Sequence, residues 1–325
     1  MTVHQTELTS STALSPYLPG TRIQYAWDST SLGYLKTCPR LYQYQMLEGW
    51  QSKEESVYLR FGIEYHAALQ NYADMKASGH SHEETLRTVL YFTCVRTTDF
   101  NPEHKNRTKL NLLKLIVWYL DFYNRDSPDA AVTHILPDGK VAVEQSFRFE
   151  LDFAPKATIN NLTKQPYILC GHIDRIVEFS GSLWAMDHKT TTFGPHYYLR
   201  NIEPHNQFSL YSFAAGVVLG QSVKGVLVDV AQVSTNDKPA FERAFTLRSN
   251  DQLAEWVGDL RYWFTLAEQF HEANYYPQND TACDKFGGCK FREVCSRSPQ
   301  VRKEFLKADF VQQPEDQRWN PLKSR

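Results

Sequence analysis

This 325-residue chain lacks several features that would assign a protein to a class at once. No apolar run approaches the roughly 20 residues of a membrane-spanning helix, and the N-terminus lacks the basic and then apolar layout of a signal peptide. Positive charge is not in excess: the formal net charge is −2, so any basic surface must be local. The sequence contains no internal repeat and no G-x-x-x-x-G-K-[ST] helicase motif. We therefore expect a soluble intracellular protein with no membrane partner.

Cysteine is also scarce, with six residues in the whole chain. In an intracellular protein we expect cysteines to be reduced, buried or metal-bound rather than paired in disulfides. Cys94 and Cys170 lie within apolar stretches, which is typical of core residues. Three others fall within thirteen residues, in the pattern C-x5-C-x5-C: Cys283, Cys289 and Cys295. A closed four-thiolate site needs a fourth ligand, and Cys38 is the best candidate because it too lies outside a long apolar run. Zn²⁺ and an iron–sulfur cluster both accept four thiolates, and the spacing does not decide between them.

What the sequence does contain is a clearly predicted β-hairpin. Its arms, residues 168–179 and 183–190, are rich in β-branched and aromatic residues, and Ser180-Gly181-Ser182 supplies the turn between them. Folding the chain at this turn brings Asp174 and Asp187 roughly level on neighbouring strands. The sequence therefore predicts two carboxylates side by side.

The second arm adds a lysine to this pair. Side chains alternate along a strand, so Asp187 and Lys189 share a face while His188 points away. Crowded carboxylates are usually relieved by a hard divalent cation such as Mg²⁺ or Mn²⁺. A lysine beside the metal could hold or activate a water, or neutralise charge on a phosphate. Alternatively, these are solvated residues near a turn, since D-x-K alone is common by chance.

Periodicity and turn residues predict the elements around this hairpin. Helices are predicted at 28–44 (broken or restarted at Pro39), 61–76, 82–96, 109–123, 204–218 and 251–272. Further strands are predicted at 141–149, 225–233 and 240–247. Residues 1–24 are rich in Ser, Thr and Pro and are expected to form a mobile arm.

Two further motifs flank the hairpin. Gly62-x-x-x-His66 opens a helix, and a lone histidine in such a place is more often a core or surface residue than a ligand. Gln207 and Tyr211, four residues apart, share one helical face, although polar residues of an amphipathic helix can align by chance. Glu144 could be an extra metal ligand, but we interpret it as a solvent-facing residue of an alternating strand.

Taken in order, these motifs resemble the RecB-like branch of the PD-(D/E)XK nuclease superfamily, over about residues 29–298. The strings that carry the resemblance are G-x-x-x-H, G-H-I-D-R, D-H-K-T, Q-x-x-x-Y and the flanking cysteines. It implies an α/β fold with a central mixed sheet flanked by helices, a restriction-endonuclease-like core closed by a Cys₄ cluster. It also implies this division: a mobile arm (1–24), an iron–sulfur-stapled nuclease domain (25–298) and a basic C-terminal tail (299–325). The nuclease domain comprises an N-terminal Cys segment (25–60), a core (61–282) and the Cys cluster (283–298).

The resemblance also assigns roles to individual residues. It implies four metal ligands: His66, Asp174, Asp187 and the backbone carbonyl of His188. It implies that the catalytic residues are Asp174, Asp187 and Lys189, with Mg²⁺ or Mn²⁺ as the cofactor. It further implies that Gln207 and Tyr211 bind substrate or position the lysine, because both can hydrogen-bond phosphate oxygens without adding charge.

One cysteine before the core and three after it resemble the iron–sulfur staple of the CRISPR-adaptation nucleases and of the AddAB nuclease subunit. This implies a 4Fe-4S cluster on four ligands: Cys38, Cys283, Cys289 and Cys295. The first gap, C-x5-C, is longer than the family's usual one, so zinc stays open as the alternative metal of the staple.

The implied activity is that of a metal-dependent deoxyribonuclease, an exonuclease acting at DNA ends or on single strands. The implied setting is the cytoplasm of a bacterium or of a phage-infected host, in recombination, repair, phage DNA metabolism or CRISPR adaptation. DNA is the expected partner, with a helicase, recombination or CRISPR protein as a further candidate. Two alternatives stay open: a DNA-binding or scaffold protein with a decayed nuclease core, and a zinc-stapled module without a catalytic role. The intact Asp174, Asp187 and Lys189 argue against decay.

Overall fold

The computed structural model describes residues 15–123, 130–156, 165–234, 239–285 and 288–323. None of the helices in these ranges is both long enough and apolar enough to cross a membrane.

The chain divides into two compact units. The first unit comprises residues 1–54, 146–171 and 251–325, and the second comprises 55–145 and 172–250. Each unit is therefore assembled from segments that lie far apart in the sequence.

Helices and strands occur in groups along the chain. The helices of the described residues are α1 (Ser29–Thr37), α2 (Pro39–Tyr42), α3 (Val57–Ala77), α4 (His82–Arg96), α5 (Lys109–Phe122), α6 (Pro195–Leu199), α7 (Asn206–Leu219), α8 (Asn250–Glu272), α9 (Arg292–Ser296) and α10 (Arg302–Asp309). The strands are β1 (Ala26–Trp27), β2 (Trp50–Ser52), β3 (Val132–Thr133), β4 (Val143–Glu150), β5 (Ile168–Phe179), β6 (Ser182–Thr191), β7 (Val226–Gln232), β8 (Phe241–Thr246) and β9 (Phe310–Gln312). Every helix and strand that periodicity predicts is present.

The central sheet is mixed. Among the described residues it contains seven strands, with β1, β5, β6, β7 and β8 neighbours in that order and with β3 and β4 also paired to β5. Pairing is antiparallel between β5 and β6 and between β7 and β8, but parallel between β1 and β5 and between β6 and β7. The α/β fold with a central mixed sheet flanked by helices is thereby confirmed.

Local sequence explains where these elements begin and turn. The side chain of Asp28 accepts a hydrogen bond from Ser31 N–H and caps α1. Pro39 begins α2, where its missing N–H costs nothing. The β5–β6 turn has positive φ at Ser180 (48°) and at Gly181 (69°), as a type I′ hairpin turn requires. The predicted break and the predicted turn are both confirmed.

The core of the second unit lies between two helices and the sheet. Phe61 and Tyr65 of α3 pack with Leu112 and Ile116 of α5 and with Ala231 of β7. One face of α5 is buried, and each fully buried side chain of this size stabilises the fold by about 1.5–3 kcal/mol.

The first unit has its own core, to which a few residues of the predicted tail contribute. Strand β9 pairs with β2, and Phe310 packs with Phe291 and Leu306. The predicted tail is therefore anchored to the first unit at these residues. Of the predicted mobile arm, residues 1–14 lie outside the described residues, while Leu18 and Ile23 are buried, so its second half packs into the protein.

Candidate active site and cysteine cluster

The β5–β6 hairpin brings two carboxylates together in the second unit. Its pairing aligns Arg175 with Met186, so Asp174 and Asp187 come next on the two strands. The N–H of His188 donates to Asp174 Oδ2 at 2.9 Å. Asp187 is fully buried, whereas the side chain of Asp174 is 12% exposed. The two carboxylates are level on neighbouring strands, as the hairpin predicts.

Lys189 and two residues of α7 surround Asp187. The ammonium of Lys189 lies 2.7 Å from Asp187 Oδ2, and Gln207 Nε2 donates to Asp187 Oδ1 at 3.0 Å. The same amide donates to the hydroxyl of Tyr211 at 2.9 Å. Gln207 therefore contacts the carboxylate directly, and Tyr211 contacts Gln207.

His66 reaches the other carboxylate from α3. Its Nδ1 lies 3.2 Å from Asp174 Oδ2, and its side chain is 27% exposed. The structure thus brings together the predicted ligands of the second unit. They are His66, Asp174, Asp187 and the peptide group of His188.

His66 and Asp174 each shift the pKa of the other. Burial opposes the ionisation of Asp174, yet His66, Lys189 and His188 hold the pKa of this carboxyl well below its usual range. Burial also acts to lower the pKa of His66, but Asp174 raises it above its ordinary value overall. Without metal, each member of the pair therefore favours the charged form of the other.

Asp187 and Lys189 form the second pair. Burial raises the pKa of Asp187 to about 6, even though Lys189 acts in the opposite direction. Burial would lower the pKa of Lys189, but Asp187 raises it above the ordinary lysine value. The lysine is therefore a cation at neutral pH.

The candidate metal ligands already have partners within the protein. Across the described ranges, no group of three or more His, Cys, Asp or Glu side chains is arranged to hold a metal ion. Asp187 is bound by Lys189 and Gln207, and Asp174 by His66 and the His188 N–H. The donor set suits a hard cation, but these contacts must loosen for one to bind.

The side chain of His188 contacts Asp229 rather than Asp187 or Lys189, although its ring lies 5.9 Å from the ring of His66. Its Nδ1 lies 3.0 Å from Asp229 Oδ2, and Asp229 also contacts Arg243. Sequence reasoning missed these partners. The available signal was an aspartate in the middle of the apolar strand β7, a position where a charge needs a partner.

Glu144 requires a correction. We interpreted it as a solvent-facing residue, but its backbone has a positive φ of 45°, and its Oε2 is buried. The carboxylate lies near enough to Tyr211 to raise the pKa of that phenol, although burial is the larger cause. The unusual φ breaks the alternation on which the interpretation depended.

The predicted cluster ligands lie in the first unit and line one cavity: Cys38, Cys283, Cys289 and Cys295. Asn279 N–H donates to the sulfur of Cys38 at 3.3 Å, and Cys289 N–H donates to the carbonyl of Cys283 at 2.8 Å. Burial raises the pKa of Cys289 and Cys295, so both would release protons on binding a metal. Four thiols are the donors that zinc or an iron–sulfur cluster takes, but within the described ranges these side chains are not arranged to hold a metal ion as they stand.

The two remaining cysteines differ from each other. Cys170 of β5 is fully buried, as predicted for a core residue. Cys94 of α4 is only half-buried, so our core interpretation was too strong for it. Neither lines the cavity of the other four.

Comparison with known families gives one extensive match. The profile of the PD-(D/E)XK nuclease superfamily matches residues 29–296, a range that contains every candidate residue described above. No curated protein matches this chain.

Solved structures give weaker likenesses. A protein provisionally named as an exonuclease, from Eubacterium rectale, is 11% identical, with a TM-score of 0.46 over 86% of this chain and 92% of its own. The protein SSO0001 is 13% identical, with a TM-score of 0.32 over 84% of this chain and 86% of its own. Both scores are too low for either structure to carry an argument about this chain.

Proposed function

We propose, since this chain belongs to the PD-(D/E)XK nuclease superfamily, that it is a Mg²⁺- or Mn²⁺-dependent deoxyribonuclease. The proposed reaction is hydrolysis of a DNA phosphodiester, in exonuclease mode, at ends or on single strands. The observation that carries this proposal is the convergence of His66, Asp174, Asp187 and Lys189 in one site of the second unit.

The proposed ligands suit a hard cation. Two carboxylates, a carbonyl and an imidazole are donors that Mg²⁺ and Mn²⁺ accept. When bound, the cation would polarise the phosphate and supply a bound water of lowered pKa. His66 must lose its proton to become a ligand, so binding at this site releases protons.

Lys189 is assigned to charge stabilisation rather than to proton abstraction. A general base must be neutral, and Asp187 holds the pKa of Lys189 above its ordinary value. A fixed ammonium beside the scissile phosphate stabilises the negative charge that develops as water attacks phosphorus. The sequence allowed Lys189 either to activate a water or to neutralise charge on a phosphate. Its raised pKa supports charge neutralisation.

Gln207 and Tyr211 are assigned to positioning. Gln207 donates to both Asp187 and Tyr211, so it fixes the orientation of the carboxylate. Tyr211 is only 5% exposed, which leaves little of it for a substrate phosphate. Direct substrate binding, which the resemblance implied, is therefore less well supported for Tyr211 than for Gln207.

The cysteine cavity is proposed to hold a 4Fe-4S cluster, with Zn²⁺ as the alternative. Its four thiols come from segments that backbone contacts already tie together, since Arg40 N–H donates to the carbonyl of Pro277 at 3.1 Å. A cluster there would cross-link the two ends of the first unit. Metal analysis and the visible absorption of anaerobically purified protein separate the two metals.

The cellular setting is a further proposal. A nuclease of this kind would act in the bacterial cytoplasm or in a phage-infected host, in recombination, repair, phage DNA metabolism or CRISPR adaptation. It would act alone or be recruited by a helicase, recombination or CRISPR protein.

The test compares wild type, Asp174→Ala and Asp121→Ala on end-labelled single- and double-stranded DNA with Mn²⁺. Asp121 is the matched control, an aspartate of the same unit with its side chain 64% exposed. Wild type and the control should cut equally fast, while Asp174→Ala should not cut. Products that shorten progressively from an end indicate exonuclease action. Equal rates in all three proteins would refute the site, and no cleavage by wild type would refute the activity.

A further inference from the structure

A row of buried polar side chains crosses three neighbouring strands of the second unit. His188 of β6 is directly opposite Asp229 of β7, and Asp229 is directly opposite Arg243 of β8. Side chains of directly opposite residues lie on the same face of a sheet. All three are therefore on the face away from Asp187 and Lys189.

The three side chains contact one another through Asp229. His188 Nδ1 lies 3.0 Å from Asp229 Oδ2, and Arg243 Nε lies 3.3 Å from Asp229 Oδ1. Tyr119 of α5 donates a short hydrogen bond to Asp229 Oδ2 and accepts one from Arg243 at 3.2 Å. Asp229 is thus held from three sides, and one of them is the ring of His188.

Stability alone does not account for this row. His188 and Asp229 are each 2% exposed, so both polar groups have lost their contact with water. Replacing a buried ion pair by well-packed apolar residues is often neutral or stabilising, because desolvation offsets the attraction. A buried row of this kind therefore calls for a role besides holding the sheet together.

The row ends at the peptide group that lies within the candidate metal site. The N–H of His188 donates to Asp174 Oδ2 at 2.9 Å, and its carbonyl is a proposed metal ligand. His188 also lies between Asp187 and Lys189 in the chain. Fixing the ring of His188 limits the rotation of this residue, and hence of the peptide groups on both sides.

We propose that Asp229 is a positioning residue of the metal site. It holds the imidazole of His188 and thereby sets the His188 N–H against Asp174 and the His188 carbonyl toward the cation. This inference rests on the proposed function, because it gives Asp229 a part in the same metal-dependent site. The competing explanation is that Asp229 only neutralises Arg243 within the sheet.

The first experiment measures Mn²⁺ affinity by calorimetry on the full chain, comparing wild type, Asp229→Asn and Glu268→Gln. Glu268 is the matched control: a carboxylate of the first unit, 4% exposed, that accepts from Tyr167 at 2.7 Å. Asp229→Asn should weaken Mn²⁺ binding about tenfold or more, as loss of a partner behind a ligand usually does. Glu268→Gln should lose stability without losing Mn²⁺ affinity. Wild-type affinity in Asp229→Asn, or equal weakening in both variants, would overturn the inference.

His188→Phe keeps the test decisive if Asp229→Asn does not fold. This variant removes the imidazole but leaves Asp229 with Arg243 and Tyr119. It should also bind Mn²⁺ about tenfold more weakly, and adding Asp229→Asn to it should cause no further loss. Undiminished Mn²⁺ affinity in His188→Phe would overturn the inference. Wild-type protein that neither binds Mn²⁺ nor cuts DNA would refute the proposed function itself, a result that the variants do not affect.

Discussion

Replacing Asp187 with asparagine is expected to abolish DNA cleavage and, without metal, to stabilise the folded protein. Asp187 is fully buried, and burial raises the pKa of its carboxyl from 3.8 to about 6. Ionising this group therefore costs the folded protein free energy that the unfolded chain does not bear. Asparagine keeps the shape and an acceptor for Lys189 but carries no charge.

The size of the effect follows from linkage between ionisation and folding. Each pKa unit corresponds to about 1.36 kcal/mol, so the step from 3.8 to about 6 costs up to about 3 kcal/mol at neutral pH. Loss of the ion pair with Lys189, whose pKa Asp187 raises, offsets part of what Asp187→Asn gains. Because the folded-state pKa is raised, this stability is fully present below 3.8 and is lost as the pH rises through about 6. The wild-type protein should bear this loss, and Asp187→Asn should not.

The assay is denaturant unfolding in EDTA at about pH 4 and about pH 8, with cleavage measured in Mn²⁺. Asp187→Asn should be more stable than wild type at the higher pH, by up to about 3 kcal/mol, and nearly equal at the lower. Mn²⁺ should raise the melting temperature of wild type but not that of Asp187→Asn. Asp121→Asn, the exposed control, should show no such difference. A variant less stable than wild type at both values would refute the argument.

Three other perturbations test the remaining parts of the account. Lys189→Ala should retain Mn²⁺ binding by calorimetry but lose single-turnover cleavage, since its amine is not a ligand; unchanged cleavage would remove its assigned role. Cys289→Ser should lose bound metal by elemental analysis and melt at a lower temperature, whereas Cys94→Ser should keep its metal; equal metal loss in both would contradict the ligand assignment. Mn²⁺ affinity should fall as the pH is lowered, because Asp174 raises the pKa of His66 and a proton competes with the metal; a pH-independent affinity would exclude His66 as a ligand.

Local sequence was sufficient for the hairpin and its carboxylates. The Ser180-Gly181 turn fixes the register of a short antiparallel pair, and register decides which residues lie level. Asp174 and Asp187 could therefore be aligned without knowledge of the rest of the sheet. Alternation likewise separates the face of Lys189 from that of His188.

Partners from distant segments were harder to foresee. The pairing of β6 with β7 is parallel and joins residues some forty positions apart, so no turn fixes its register. Asp229 could not be aligned with His188, nor could Arg243 with Asp229. The orientation of Glu144 was predicted wrongly for another reason. Its positive φ interrupts the alternation of side chains along the strand from which that orientation was inferred.

The cysteine site could be predicted from the sequence only in part. Their spacing singles out Cys283, Cys289 and Cys295, but only the fold brings Cys38 to the same cavity. The metal identity follows from neither, because four thiols suit both candidates.

The most direct test of the central claim titrates Mn²⁺ into metal-free protein while binding and DNA cleavage are followed in parallel. The account predicts that wild-type cleavage is absent in EDTA and rises over the same concentration range in which Mn²⁺ binds. It also predicts that Asp187→Asn shows neither the binding nor the cleavage. Cleavage by wild type that persists in EDTA, or Mn²⁺ binding by Asp187→Asn that matches wild type, would contradict the claim that this site is a metal-dependent nuclease centre.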